Sequence, residues 1–262
     1  MYRALVVGLA VVIACATAGR DVTGDGTSGD GAHDAPKFLD ANNCATQPCD
    51  IPTQCGCGSG ACDIDGSDLM GTACRAIMAP GHETSTCSGP TGCDKGYVCL
   101  GGTDASCHKY CGSNADCGSG PRGMCVIDIT SGGGVIPGIP PACSSNCDPA
   151  NNANPAVCPA TMKCAAFTAT HMGSNIDIAD CDTAGTITQP ASGNGTTCKV
   201  GTNGDDTLCA ANHSCTTVDG GTTFFCRKYC TFPGGGGCPG TKTCIHFNPA
   251  LTIAGTEYGV CN

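Results

Sequence analysis

The chain has 262 residues, of which 27 are cysteine, 40 glycine, 16 proline and none tryptophan. Cysteine at about a tenth of the composition marks a disulfide-built protein of an oxidising compartment. A formal net charge of −10 excludes nucleic-acid binding, which needs a basic face.

The first element is a signal. Met1, Tyr2 and Arg3 precede an apolar run from Ala4 to Ala14. One positive charge followed by a short apolar stretch is the pattern of a secretory leader, too short to span a bilayer as a mature helix. Residues 1–14 are therefore read as a signal peptide. Two processing sites compete. Ala16-Thr17-Ala18 fits the small-x-small rule of ordinary signal peptidase. Val12-Ile13-Ala14-Cys15 resembles the lipobox of bacterial lipoproteins, which implies lipid attachment at Cys15 and a membrane as the first partner. Setting Cys15 aside leaves an even number of cysteines in either case. The lipidated form is favoured.

Residues 15–43 read as a flexible tether. They carry Gly24, Gly26, Gly29 and Gly31, and five aspartates against Arg20 and Lys37. Low hydrophobicity with net negative charge cannot bury enough surface to order a chain.

Four cysteine blocks follow. Residues 44–82 hold six cysteines, 83–143 eight, 144–185 four and 198–262 eight, with 186–197 as a linker. Each count is even, so each block can close on itself, while connectivity inside a block stays open. Leucine is scarce after the signal and aromatics are 4% of the chain. Each module is therefore expected to lean on its bridges, at ~2–4 kcal/mol apiece. No long amphipathic window escapes glycine, proline or cysteine. Short strands are predicted at 123–129, 222–232 and 243–247. The predicted fold class is small and disulfide-rich: tandem loop-rich modules with short β-hairpins and little helix.

The cysteine spacing also recurs. Runs beginning Cys107-x3-Cys111, Cys143-x3-Cys147 and Cys226-x3-Cys230 share later spacings, as in stacked or beaded units. In this frame Cys143 belongs to two blocks, so a bridge between modules is one possibility. The stretch from Cys111 through Asp116-Cys117 to Cys125 resembles the cysteine-rich repeats of myxobacterial-type surface lipoproteins. Over a short span it also resembles the start of the Dickkopf N-terminal cysteine-rich region. Tyr258-Gly-Val-Cys261 fits the bacterial family. That resemblance implies an anchored extracytoplasmic protein and assigns no activity.

Catalytic motifs are missing. No Cys-x-x-Cys occurs, no serine lies in Gly-x-Ser-x-Gly, and His82-Glu83 lacks the second histidine of a zincin. Gly24 to Gly29 matches a dinucleotide fingerprint but has no strand before it. No cofactor is expected and the chain is read as a non-enzyme. Asp63, Asp65 and Asp68 form a weak calcium candidate whose spacing departs from an EF-hand; a turn capped by aspartates is the favoured reading. Lys109 and Tyr110, with Arg227, Lys228 and Tyr229, are the local basic and aromatic clusters. They are read either as a contact surface or as the small core of a hairpin. The resulting expectation is a cell-surface, disulfide-stapled binding or structural module with an extracellular protein or matrix partner. The alternative is a secreted protease-inhibitor-type protein presenting the loop 132–141.

Overall fold

The computed structural model describes residues 49–262 apart from 67–70, 79, 102–103, 119–121, 132–133, 152–157, 201–202, 218–220 and 235. The leader, the tether and the lipid-attachment residue Cys15 lie outside the described residues, as does Asp68.

Strands come in antiparallel pairs. β1 (Ala61–Ile64) pairs β2 (Thr72–Arg75), and β3 (Thr86–Cys87) and β4 (Tyr97–Gly101) flank β5 (Ala105–Lys109). β6 (Cys125–Ile127) pairs β9 (Ala142–Cys143) around the small hairpin β7 (Thr130–Ser131) and β8 (Gly134–Val135). β10 (Met162–His171) and β11 (Ser174–Thr183) form a hairpin of two ten-residue strands. β12 (Lys199–Val200) and β13 (Asn203–Gly204) precede a four-stranded sheet. That sheet has the order β14 (His213–Thr216), β15 (Phe225–Phe232), β17 (Thr256–Cys261), β16 (Cys244–Ile253). The helices among the described residues are single 3-10 turns, at Pro90–Gly92, Asn114–Asp116 and Asp206–Leu208. The expected fold class is the observed one.

One disulfide rule runs through the chain. Take the cysteines in fours. In each four, the first bonds the third and the second bonds the fourth. The pairs are 49–62 and 57–74, 87–99 and 93–107, then 111–125 and 117–143. They continue as 147–164 and 158–181, 198–215 and 209–226, 230–244 and 238–261. Cys55, which lies inside the first unit, is disulfide-bonded too.

Strand register explains the rule. The third and fourth cysteines of every unit stand opposite each other on paired strands. They are Cys62 and Cys74, Cys99 and Cys107, Cys125 and Cys143, Cys164 and Cys181, Cys215 and Cys226, Cys244 and Cys261. Opposed residues of an antiparallel pair put their side chains on one face. The loop bearing the first two cysteines lies over that face and is riveted to it twice. The unit therefore begins one cysteine later than the Cys-x3-Cys frame, and Cys143 bonds back to Cys117. No bridge among the described residues crosses between the cysteine blocks.

The units are not separate beads. Ile51, Val98, Leu100, Tyr110, Ile129 and Ile136 form one core shared by the first three units. Cys147, Cys164, Ala179, Ile253 and Tyr258 form a second, shared by the fourth and sixth. The β10–β11 hairpin is the hub. Asp180 accepts from Ser145, Asp104 accepts from the Thr183 hydroxyl, and His171 Nδ1 lies 2.7 Å from Asp128. Thr252 N–H donates to Asp177. The linker 186–197 is a tied strap. Gln189 is buried, donates to Cys261 O and accepts from Lys228 N.

Basic side chains serve the loops. A loop-rich fold leaves carbonyls without sheet partners, and basic side chains, most of them at the surface, take several of them. Lys95 donates to Gly58 O, Lys109 to Asp116 O, Lys199 to Thr222 O and Lys242 to Gly193 O. Arg75 reaches Cys93 O, Asp94 O and Tyr97 O.

Candidate functional site

Asp63 is structural. It is buried, pairs with Arg75 Nε at 2.5 Å, and accepts from the Tyr110 hydroxyl at 2.5 Å. Of the calcium candidates Asp63, Asp65 and Asp68, Asp63 is turned inward. A carboxylate engaged by a guanidinium and a phenol inside the shared core cannot turn outward to join Asp65.

Three of the five residues proposed as a contact surface on the Cys-x3-Cys segments are buried. Tyr110 is 6% exposed, Arg227 3% and Tyr229 2%. Along β15, Arg227 and Tyr229 lie on the face opposite Cys226 and Cys230, and all four are buried, so both faces of the strand are covered here. Burial pushes the Tyr110 and Tyr229 hydroxyls up in pKa. Lys109 and Lys228 remain partly accessible, with the Lys109 ammonium bound to Asp116 O. The second reading, a small hairpin core, describes the tyrosines.

One constellation has the atoms of nucleophilic catalysis. Ser106 Oγ lies 3.0 Å from His108 Nε2, and His108 Nδ1 lies 3.0 Å from Cys143 O. A carbonyl accepts only from N–H, so Nδ1 carries the proton and Nε2 accepts from the serine. Ser106 is 1% exposed, which denies a substrate the hydroxyl. The pair ties β5 to β9.

Glu83 is half-buried beside His108, and desolvation raises its pKa from 4.5. A carboxyl with a raised folded pKa favours the fold when protonated. That contribution is full below pH 4.5 and is lost as pH rises through the folded value. Glu83→Gln is expected to raise unfolding free energy at pH 7 and to give no gain well below pH 4.5. Urea titrations of both proteins at several pH values check this.

The sulfur groups Cys111, Cys117 and Cys125, and Cys87, Cys93 and Cys107, gather within metal-binding distance. Each sulfur is bridged, so no thiolate is on offer.

A cleft of about 280 Å³ opens beside Arg227. Its lining comes from four places: Asn194 of the strap, Thr217 and Gly221–Thr223 of the β14–β15 loop, Phe225 and Arg227 of β15, and Asn262. Arg227 Nη1 donates to Asn262 Oδ1 at 2.8 Å and to Cys261 O at 3.4 Å. Nη2 donates to Asn194 Oδ1 at 3.4 Å. The Arg227 Cζ lies 5.8 Å from the centre of the Phe225 ring. Two carboxamides thus set the guanidinium in the cleft, between threonine hydroxyls and an aromatic ring. Of the residues proposed from sequence, Arg227 alone lines this cleft. The others were out of reach of sequence reasoning, because their convergence depends on the strap being tied down.

Comparison of the chain with known protein families, curated proteins and solved structures gives no match.

Proposed function

We propose that the protein is a cell-surface binding module, anchored in the envelope through a lipid on Cys15. Twelve bridges among the described residues belong to an exported, disulfide-stapled protein. No helix among the described residues is long and apolar enough to cross a membrane. The observation that carries the reading is the rivet rule itself. Two bridges per unit give a fold whose binding surface needs little ordering on contact, which lowers the cost of association. The Val12-Ile13-Ala14-Cys15 sequence and the acidic, glycine-rich stretch after it supply the anchor and the spacer.

In the loop named for the inhibitor alternative, Ile136 is 5% exposed and Ile139 packs against the first core, while Val135 is 57% exposed.

The intact mass of the protein taken from its native membrane fraction, before and after reduction and alkylation, tests the reading. The expected mass begins at Cys15 with added lipid and gains alkyl groups only after reduction. An unlipidated mass beginning at Gly19 overturns the anchor.

A further inference from the structure

We propose that the cleft beside Arg227 binds a pyranose saccharide. The inference rests on the reading of the protein as an extracytoplasmic binding module and names a ligand class for the Arg227 cleft.

The chemistry of the lining carries it. Thr217, Thr222 and Thr223 bring hydroxyls, and Asn194 and Asn262 bring carboxamides. Hydroxyls and carboxamides both donate and accept, as do the hydroxyls of a sugar ring. Phe225 supplies a flat apolar surface, which suits the C–H face of a pyranose. Arg227 is 3% exposed and donates to Asn262 and Asn194, so it positions the two carboxamides that line the cleft. Rigid polar groups converging in a concavity are the mark of a specificity site.

Other ligand classes fit less well. Among the described lining residues Phe225 is the one large apolar side chain, which suits a hydrophobic ligand poorly. Among the same residues there is no carboxylate side chain, histidine or cysteine, the usual side-chain ligands of a metal cation. A basic peptide meets a guanidinium there.

The test is saturation-transfer NMR on the full, disulfide-bonded chain. The probes are glucose, galactose, N-acetylglucosamine and glucuronic acid at millimolar concentration. Asn194→Ala and Thr223→Ala remove lining groups at exposed positions, so the fold is kept. Unchanged near-UV circular dichroism verifies that. Met172→Ala, at an 88% exposed hairpin tip, is the control. The expected result is transfer to at least one probe with millimolar affinity. The affinity falls at least tenfold in both lining variants and stays unchanged in the control. Transfer to none of the probes, or transfer that persists in both lining variants, overturns the proposal. The membrane-fraction mass is read independently, so loss of the saccharide site leaves the anchored reading to stand or fall alone.

Discussion

Lys163→Met is expected to lower the unfolding free energy by about 3 kcal/mol, the lower end of the range for breaking a buried ion pair. The Lys163 side chain is fully buried on β10, and its Nζ lies 2.6 Å from Asp206 Oδ2. The same ammonium donates to Asp206 O at 2.7 Å and to His213 O at 3.0 Å. One cation thus holds the fourth unit to the fifth. Methionine keeps most of the stem but takes the ammonium from Asp206 Oδ2 and from the two carbonyls, of which Asp206 O still accepts from Cys209 N. Asp206 Oδ2 is buried, but Oδ1 keeps its bond from Cys215 N and the side chain as a whole is 30% exposed, so the estimate stays at the low end. Adding Asp206→Asn removes the stranded charge, while its Oδ1 can still accept from Cys215 N. The double variant is expected to regain part of the stability. Denaturant midpoints of the three proteins check this. Equal stability of Lys163→Met and the parent would show that the two units are held together by other contacts.

Much of the fold class was legible because its cause is compositional. Abundant cysteine with few leucines and aromatics leaves bridges as the main source of stability, and bridges do not require helices. The strands predicted at 123–129, 222–232 and 243–247 overlap β6, β15 and β16, because valine, isoleucine, phenylalanine and threonine concentrate there. The longest hairpin was missed. β10 reads Met-Lys-Cys-Ala-Ala-Phe-Thr-Ala-Thr-His, and its alanines carry no strand signal. Its two-residue turn is Met172-Gly173, with φ of 50° and 78°. Hairpin turns of this kind usually announce themselves as Asn-Gly or Asp-Gly. The bridge pattern was illegible for another reason. Spacing alone does not say which cysteines face each other, and strand register does. Polar pins such as Asp63 with Arg75, or Lys163 with Asp206, join residues far apart in sequence. Their partners exist only once the units have packed, and the Arg227 cleft depends on the same packing.

Replacing both Cys147 and Cys164 by alanine is expected to cost more than replacing both Cys87 and Cys99. Chain entropy alone predicts nearly equal losses. The sequence separations are 17 and 12 residues, and closure entropy grows only with the logarithm of loop length, giving about 3 kcal/mol for each bridge. Packing separates them. Cys147 is 2% and Cys164 0% exposed, in contact with Ala179, Ile253 and Tyr258, whereas Cys87 and Cys99 are only partly buried. Loss of two core sulfurs adds roughly 1–2 kcal/mol of cavity and contact terms. That extra loss falls on the seam between the fourth and sixth units. Amide hydrogen exchange should therefore quicken at 253–258 in the Cys147/Cys164 variant, while the Cys87/Cys99 variant should quicken exchange only in the second unit and its immediate neighbours. Equal losses in both variants, with exchange at 253–258 unchanged, would mean that each unit is stabilised by its own rivets and that the hub carries none of the load.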